Sequence, residues 1–315
     1  MKKKLNLFTV YLVLTALLVV TACSSGESEN KAPVAEEPTA EQSEGDKEKE
    51  SEQEAPIPDG LTDATRAIEI TTSDGRILTG TFYPAANLNA PVVILMHWVM
   101  GNETDWTPIA YWLQNRGLAD AADNNGGADQ NMPWLDSSWF PTVPADRSYN
   151  VLTFNFYKCE DDGCMSFDRE EWLLDSQAAY ETARTLEGVD PTRMVGIGAS
   201  IGADGVADGC LYINSEYPDT CQGALSLSAG SYLTVDYKEV VAQLNMMEPV
   251  VPVQCFYAAG DSESATVCGA ITEEDNYTAV KYAGNEHGMM LIQPDLEHDT
   301  LTLILQFLDA TIGAN

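Results

Sequence analysis

The amino-acid sequence predicts an α/β domain with a mostly parallel central sheet, helices on both faces and an N-terminal antiparallel hairpin. Two observations predict it. Apolar runs at 91–97 and 150–157 lack polar alternation, which is typical of strands buried on both faces of a parallel sheet. Segments with apolar residues at helical spacing alternate with such strands, which indicates repeated strand–helix units.

The elements follow in chain order from the hairpin. Residues 67–72 and 77–83 alternate apolar and polar positions around the turn signal Ser73-Asp74-Gly75. After the buried strand 91–97, residues 106–115 have helical spacing. Further strands are predicted at 150–157, 194–198, 224–227, 251–259 and 278–282, and further helices at 170–186, 201–214 and 299–311.

The first residues of the chain have the layout of an export signal. Lys2–Lys4 precede an apolar run over 5–20, and small residues lead to Cys23. This layout resembles the lipobox of bacterial lipoproteins, in which the cysteine becomes the lipidated first residue. The resemblance implies a signal peptide at 1–22 and a lipid anchor on Cys23 that holds an exported protein at the bacterial cell envelope. An uncleaved membrane anchor or an ordinary signal peptide is the alternative.

An acidic tether is predicted at 23–60. Residues 24–60 carry twelve acidic and three basic residues and almost no large apolar side chains. Such a segment cannot bury enough surface to offset its ordering entropy, so we expect disorder there and a catalytic domain at 61–315. Of the net charge of −33, +3 lies before the tether and −9 within it, which leaves −27 on the domain. This acidity argues against nucleic acid and anionic lipid as partners.

Six cysteines besides Cys23 lie along the chain as close neighbours. They are Cys159 with Cys164, Cys210 with Cys221, and Cys255 with Cys268. Sequential pairing would close three short loops and suits an oxidising exterior. The alternative is that some are buried free thiols, above all Cys255, which lies in an apolar run. No zinc-site spacing is found, and no metal or organic cofactor is predicted.

The stretch 194–205, MVGIGASIGADG, places Ser200 in a G-x-S-x-G pattern between a strand and a helix. At such a sharp turn the serine projects above the sheet, and glycines at 198 and 202 remove Cβ atoms that would clash where strand and helix cross. Ser200 is therefore the candidate nucleophile. A serine hydroxyl is a weak nucleophile at neutral pH, so it needs a base and a carboxylate that orients the base.

The candidate base is His287, on the loop after the final predicted strand, where the order Ser, Asp, His requires it. His97 ends a buried strand and is expected to hold the following turn by hydrogen bonds. His298 is expected to be an exposed residue at a helix start. The candidate acid is Asp261, which leaves the carboxyl end of a strand, with Glu263 as the alternative.

Two further parts of the site are predicted. The backbone N–H groups of Ile201 and Val99 are expected to form the oxyanion hole, since each follows a strand end beside the nucleophile. The long segment 119–147 contains Trp134, Trp139 and Phe140. It either caps a pocket with its aromatic side chains against substrate or is a surface excursion that they pin to the domain.

Taken together, these motifs resemble the α/β-hydrolase superfamily. The resemblance rests on Asp74-Gly75, His97-Trp98-x-x-Gly101, the elbow at Ser200, Gly260-Asp261-x-Glu263 and His287-Gly288, and it covers about residues 64–315. The chain is most similar to dienelactone-hydrolase-like and acyl-ester hydrolases. Two departures stand out. Trp98, a further candidate for substrate contact, occupies a position where the family usually has Gly, and dienelactone hydrolases proper use Cys as the nucleophile.

The resemblance implies an extracytoplasmic serine hydrolase that cleaves a small-molecule carboxylic ester through Ser200, His287 and Asp261, without a cofactor. Two alternatives stay open. One is a peptidase of the prolyl-oligopeptidase type, although no propeller precedes the domain. The other is a non-catalytic surface lipoprotein that uses the same fold to bind a ligand.

Overall fold

The computed structural model describes residues 65–117, 132–160 and 163–313. Its strands are β1 (Arg66–Thr71), β2 (Ile77–Tyr83), β3 (Ala90–Met96), β4 (Asn150–Phe154), β5 (Cys159–Glu160), β6 (Gly163–Cys164), β7 (Val189–Ala199), β8 (Cys221–Leu227), β9 (Val253–Ala258) and β10 (Tyr277–Tyr282). Its α-helices are α1 (Thr107–Gln114), α2 (Arg169–Thr185), α3 (Ile201–Glu216), α4 (Tyr237–Asn245), α5 (Ser262–Cys268) and α6 (Thr300–Thr311). Short 3₁₀ turns form at Glu103–Trp106, Pro133–Leu135, Ser137–Trp139 and Gly288–Leu291.

The central sheet has eight strands in the order β1-β2-β4-β3-β7-β8-β9-β10. All pairs from β4 to β10 are parallel. β2 is antiparallel to both β1 and β4. The predicted fold class, a mostly parallel sheet with an N-terminal antiparallel hairpin, is confirmed.

Helices cover both faces of the sheet, which explains the continuous apolar runs. On β3, Val92 and Ile94 point into a core that they share with α2, α3 and α4. Val93 and Leu95 point into a second core, with α1 and α6. Because successive side chains of a strand point to opposite faces, a strand with a core on each side must be apolar at every position.

Some element bounds differ from the prediction. β4 ends at Phe154 rather than at residue 157, because the N–H of Phe156 leaves the sheet and donates to the His97 side chain. The strand that leads to Ser200, β7, begins at Val189, five residues before the predicted start at residue 194. The hairpin β5–β6 and helices α4 and α5 were not predicted, since two-residue strands and short helices have no clear periodicity.

The disulfides have the predicted sequential pairing. Bonds join Cys159 to Cys164, Cys210 to Cys221 and Cys255 to Cys268. The alternative of a free thiol at Cys255 was wrong. The apolar run there is a buried strand, and its cysteine is bonded to Cys268 of α5 within the same core. Disulfides of this kind persist in oxidising compartments.

None of the helices in the described residues is long and apolar enough to cross a membrane. The predicted signal peptide, Cys23 and the tether lie outside the described residues, as does the part of the 119–147 segment before residue 132.

Candidate active site

Five parallel strands end at one edge of the sheet, and their carboxyl ends carry the candidate site. β3 leads to the turn 97–101, β7 to Ser200, and β8 to the loop 228–236. β9 leads to Asp261, directly before α5, and β10 leads to the loop that carries His287, directly before the last 3₁₀ turn. Because these five strands are neighbours in the sheet, their ends bring together residues that are far apart in the sequence.

Ser200 lies at a strained turn between β7 and α3. Its backbone has φ 54° and ψ −113°, in the left-handed half of φ space that non-glycine residues rarely adopt. Its N–H donates to the carbonyl of Leu227 on β8 at 2.8 Å, and its carbonyl accepts from the N–H of Ala203 at 2.9 Å. These bonds hold the turn, and the side chain is almost fully buried.

Glycines allow the strand and helix to cross closely at this turn. A Cβ on Gly198 would overlap the backbone oxygen of Gly202, and a Cβ on Gly202 would overlap the carbonyl of Met96 on β3. No rotamer change could relieve either clash, because backbone atoms are the obstacles. The prediction that glycine is needed at 198 and 202, because a Cβ atom would clash where strand and helix cross, agrees with the structure.

His287 lies within hydrogen-bond distance of both partners predicted for it. Its Nε2 is 2.8 Å from Ser200 Oγ, and its Nδ1 is 2.7 Å from Asp261 Oδ2. The carboxylate can only accept, so Nδ1 carries the proton and Nε2 is left to accept from the serine hydroxyl. The three side chains form one continuous hydrogen-bonded chain, in which the histidine ring is partly exposed and the aspartate is largely covered.

Asp261, rather than Glu263, makes the contact with the histidine. Burial raises the pKa of Asp261, but hydrogen bonds from His287 and Ser264 outweigh it and hold the pKa of this carboxyl below its usual value. It therefore stays ionised at neutral pH. Glu263 lies exposed on α5.

The loops that carry the acid and the base are bonded to each other. The N–H of Gly260 donates to the carbonyl of Gly284 at 2.6 Å, and the N–H of Ala259 donates to the carbonyl of Tyr282 at 2.9 Å. On the other side of the base, the N–H of Gly288 donates to Ser228 Oγ at 2.9 Å. Backbone bonds between neighbouring strand ends therefore set the distance between acid and base.

The turn after β3 is fixed from within by His97. The imidazole is fully buried; its Nδ1 donates to the carbonyl of Trp98 at 2.7 Å, and its Nε2 accepts from the N–H of Phe156 at 3.1 Å. Burial lowers the pKa of His97 to about 4, so the ring is neutral. Because the Trp98–Val99 peptide is planar and trans, fixing its carbonyl also fixes the direction of the Val99 N–H.

The hairpin β5–β6 holds the same turn from outside. The N–H of Cys164 donates to the carbonyl of Val99 at 3.0 Å, so both peptide groups that flank Val99 are bonded. Across the site, Ile201 is the first residue of α3, where backbone N–H groups have no partner within the helix. The structure thus fixes the turn at Val99 by hydrogen bonds and places Ile201 at the start of α3, the two positions at which the oxyanion donors are predicted.

Trp98 lies against the base loop, where the resembled family usually has glycine. A Cβ placed on Gly288 would be 3.2 Å from the Trp98 ring and 3.7 Å from Ser200 Cβ, so the indole lies beside the nucleophile. Its Nε1 donates to Asp105 Oδ2 at 2.7 Å, and Trp134 Nε1 donates to Asp105 Oδ1 at 3.4 Å. The two indoles pack edge to face, with centroids 5.6 Å apart.

The aromatic residues of the 119–147 segment pack on the domain. Trp134 is buried beside Trp98. Phe140 packs edge to face on both Trp139 and Trp112 of α1. Trp139 Nε1 donates to the carbonyl of Pro133. For residues 132–147 these contacts agree with the interpretation in which the aromatic side chains pin the segment to the domain. Trp134 also contacts Trp98 beside the site.

The loop 228–236 was not predicted to be part of the site. Asp204, on the buried side of α3, accepts hydrogen bonds from the N–H groups of Gly230, Tyr232 and Leu233. Burial raises the pKa of Asp204 to about 7 although these donors lower it. A carboxylate four residues after the nucleophile, on the apolar face of a helix, was the available signal, since buried acids need partners.

Tyr232 brings this loop against the base. Its ring lies edge to face with the His287 ring, with centroids 6.2 Å apart. The guanidinium of Arg169, at the start of α2, donates to the carbonyls of Ser231 and Tyr232. These hydrogen bonds connect the loop 228–236 to the first residue of α2.

Comparisons with known proteins agree with this architecture. No protein-family model matches the sequence, and no curated protein matches it either. Among solved structures, the chain is similar to the esterase Pf2001 of Pyrococcus furiosus, at 16% identity and a TM-score of 0.53, over 79% of this chain and 94% of that one. The chain has the α/β-hydrolase fold.

Two other α/β-hydrolase structures show the same similarity. The dienelactone hydrolase-like promiscuous phosphotriesterase P91, from metagenomic libraries, matches at 15% identity and a TM-score of 0.50, over 79% of this chain and all of that one. An esterase of Pyrobaculum calidifontis matches at 13% identity and a TM-score of 0.50, over 79% of this chain and 86% of that one. At these identities the similarity concerns the fold.

Within this α/β-hydrolase fold, His298 and His97 are not part of the hydrogen-bonded chain. His298 was predicted to be exposed, yet its ring is half-buried and packs edge to face on Tyr282, with centroids 5.2 Å apart. His97 holds the turn after β3, as its position at the end of a buried strand indicated.

Replacing His97 with Phe should lower the free energy of unfolding by about 1–3 kcal/mol, because the N–H of Phe156 would lose its partner in the core and the carbonyl of Trp98 would keep only its bond from the N–H of Gly101. Urea denaturation of the variant and the wild type would measure this. His298→Phe is the matched control, since that ring makes a packing contact. Equal losses in the two variants would contradict the role assigned to the His97 hydrogen bonds.

Proposed function

We propose that this protein is an exported, lipid-anchored serine hydrolase that cleaves carboxylic esters. The observation that supports it best is the hydrogen-bonded chain from Asp261 through His287 to Ser200, at a strained turn that presents the serine at the edge of the sheet. A buried serine has no structural need for such a turn or for an oriented imidazole, whereas nucleophilic catalysis requires both.

The first half of the reaction acylates the serine. Ser200 Oγ attacks the ester carbonyl carbon while His287 Nε2 takes the hydroxyl proton, and the carbonyl oxygen becomes an oxyanion. The imidazolium is stabilised by the ionised Asp261, 2.7 Å from Nδ1. The tetrahedral intermediate then breaks its bond to the alcohol oxygen, which receives the proton from Nε2. The product of this half is an acyl-serine and a free alcohol.

The second half repeats these steps with water. His287 takes a proton from the water, whose oxygen attacks the acyl carbon, and the bond to Oγ breaks as the serine recovers its proton. In both halves the oxyanion accepts hydrogen bonds from the N–H groups of Val99 and Ile201. Each such donor typically contributes about 3–4 kcal/mol to stabilisation of the transition state.

The similar solved structures support this choice of reaction class, because two of the three described above are esterases by name. Three disulfides within the described residues support an oxidising compartment. Cys23 after an export signal supplies the proposed lipid anchor, and the acidic segment to residue 60 supplies a spacer between membrane and enzyme.

A fluorophosphonate probe should label the wild-type protein and leave Ser200→Ala unlabelled, because the probe forms a phosphorus–oxygen bond with an activated serine and releases fluoride. Gel fluorescence would measure labelling. Ser215→Ala, on the exposed side of the same helix, is the matched control and should label like the wild type. Absence of wild-type labelling would favour the non-catalytic alternative, and labelling of Ser200→Ala would place the nucleophile elsewhere.

Asp261→Asn should lower kcat for a p-nitrophenyl ester by about 10⁴-fold, because the amide no longer stabilises the imidazolium or holds the required tautomer. Glu263→Gln is the isosteric control two residues away and should stay close to wild type. Steady-state kinetics of both variants would measure this. A large loss confined to Glu263→Gln would assign the acid to Glu263.

Cys23→Ala should release the protein from the membrane fraction of the expressing bacterium, because the residue that carries the lipid is removed. Radiolabelled palmitate, supplied during growth, should appear in the wild type and not in the variant. Incorporation of the label into both proteins would overturn the assignment of Cys23. A wild type that fractionates as a soluble exported protein would favour an ordinary signal peptide.

A further inference from the structure

We propose that three exposed apolar side chains, Met100, Met165 and Phe167, form a surface that binds an extended apolar chain of the ester substrate. These residues are called the apolar rim. The inference rests on the proposed function and deepens it, since it assigns a substrate class, neutral esters with a medium-length acyl chain, to the same site.

The apolar rim is unusually exposed for its chemistry. Met100 is 71% exposed, Met165 84% and Phe167 75%, on a domain whose sequence carries a net charge of −27. Phenylalanine and methionine at such exposure leave apolar surface in water, and covering that surface with another apolar group is favourable. Methionine is unbranched and flexible, so it adapts to chains of different shape.

Backbone bonds place the first two rim residues beside the oxyanion turn. Met100 directly follows Val99, and Met165 directly follows Cys164, whose N–H donates to the Val99 carbonyl at 3.0 Å. The hairpin rests on the turn so closely that a Cβ on Gly163 would be 2.7 Å from the Val99 oxygen. Met100 and Met165 therefore lie next to the Val99–Met100 peptide, the next peptide along the chain from the N–H proposed to bind the oxyanion.

Phe167 continues the surface toward the base. Its ring packs edge to face on Trp172, with centroids 5.6 Å apart. Two residues on, Arg169 donates to the carbonyls of Ser231 and Tyr232, in the loop that packs against His287. The segment with Met165 and Phe167 thus runs from the oxyanion turn to the base side of the nucleophile.

The chemistry of the site determines what covers this surface. The ester carbonyl carbon must meet Ser200 Oγ while its oxygen meets the Val99 N–H, so one substituent of the ester starts next to the apolar rim. Trp98 closes the other direction, because its indole lies against Gly288 and is held by Asp105. A chain attached to the carbonyl therefore leaves the site across the rim.

Charges beside the rim favour an uncharged chain. Asp168, Glu170 and Glu171 lie at the start of α2, directly after Phe167, and Lys158 is paired with Glu171 at 3.3 Å. The guanidinium of Arg169 is occupied by backbone carbonyls. An anionic group at the end of the chain would be repelled here, whereas an alkyl chain would meet only apolar atoms.

The test is a series of p-nitrophenyl esters, from acetate to octanoate, below their aggregation concentrations. Complete burial of a methylene corresponds to about fourfold in affinity, and a chain on an open surface should gain about twofold per methylene in wild-type kcat/KM. In the double variant Met165→Gln/Phe167→Gln, the ratio of kcat/KM for octanoate to that for acetate should fall about tenfold, mainly through KM.

Met246→Gln is the matched control. Met246 is 74% exposed and directly follows α4. The carbonyl of Leu244, in the last turn of α4, accepts from the N–H of Val251, shortly before β9 begins. Met246 therefore lies near the amino end of β9, opposite the edge that carries the site. Its octanoate-to-acetate ratio should equal that of the wild type. An unchanged ratio in the double variant, or an equal fall in the control, would overturn the proposal. Thermal unfolding of each variant identifies any loss that comes from misfolding.

The result also separates this inference from the function on which it rests. If fluorophosphonate labels Ser200 and acetate is cleaved while chain length has no effect, only the apolar rim assignment fails. If neither labelling nor cleavage of any ester occurs, the proposed function fails and the inference fails with it. Adding Met100→Gln to the double variant should lower the ratio further, because Met100 is part of the apolar rim, and an unchanged ratio would remove Met100 from the proposed surface.

Discussion

The site depends on the close approach of three backbone segments beneath Ser200. β3, β7 and the first turn of α3 meet where only glycine fits, at 198 and 202, and this contact forces the serine into a left-handed backbone conformation. Such a conformation costs about 1–3 kcal/mol and persists only where the surroundings determine it. Here the surroundings are the buried core on each face of the sheet, so the stability of the whole domain maintains the turn.

Polar groups inside the domain act mainly to orient backbone next to the site. His97 fixes the turn after β3, and Asp204 fixes the loop after β8 by accepting from three N–H groups. Asp105 does the same for two indoles. In each case one side chain bonds two or more polar groups of the surrounding turns and side chains, which makes a single geometry the most stable one.

Much of this arrangement could be predicted because it follows from strand order. Ser200, Asp261 and His287 each leave the carboxyl end of a parallel strand, and parallel strands end at one edge. The roles of Trp134 and Asp204 could not be predicted in the same way. An aromatic residue in a long segment has no periodicity to show what it covers, and a helix pattern does not show which loop will donate to a buried carboxylate.

The backbone bonds from Gly260 to Gly284 and from Ala259 to Tyr282 have a mechanical consequence. They join the loop that carries Asp261 to the loop that carries His287, so we expect a small displacement of either strand end to carry both residues with it and to change their 2.7 Å separation little. The hydrogen bond between His287 Nε2 and Ser200 Oγ is then the contact in this chain of three side chains that we expect to change length most readily. In the proposed reaction, a tetrahedral carbon bonded to Ser200 Oγ would change this hydrogen bond, and Asp261 would follow His287 without a separate rearrangement.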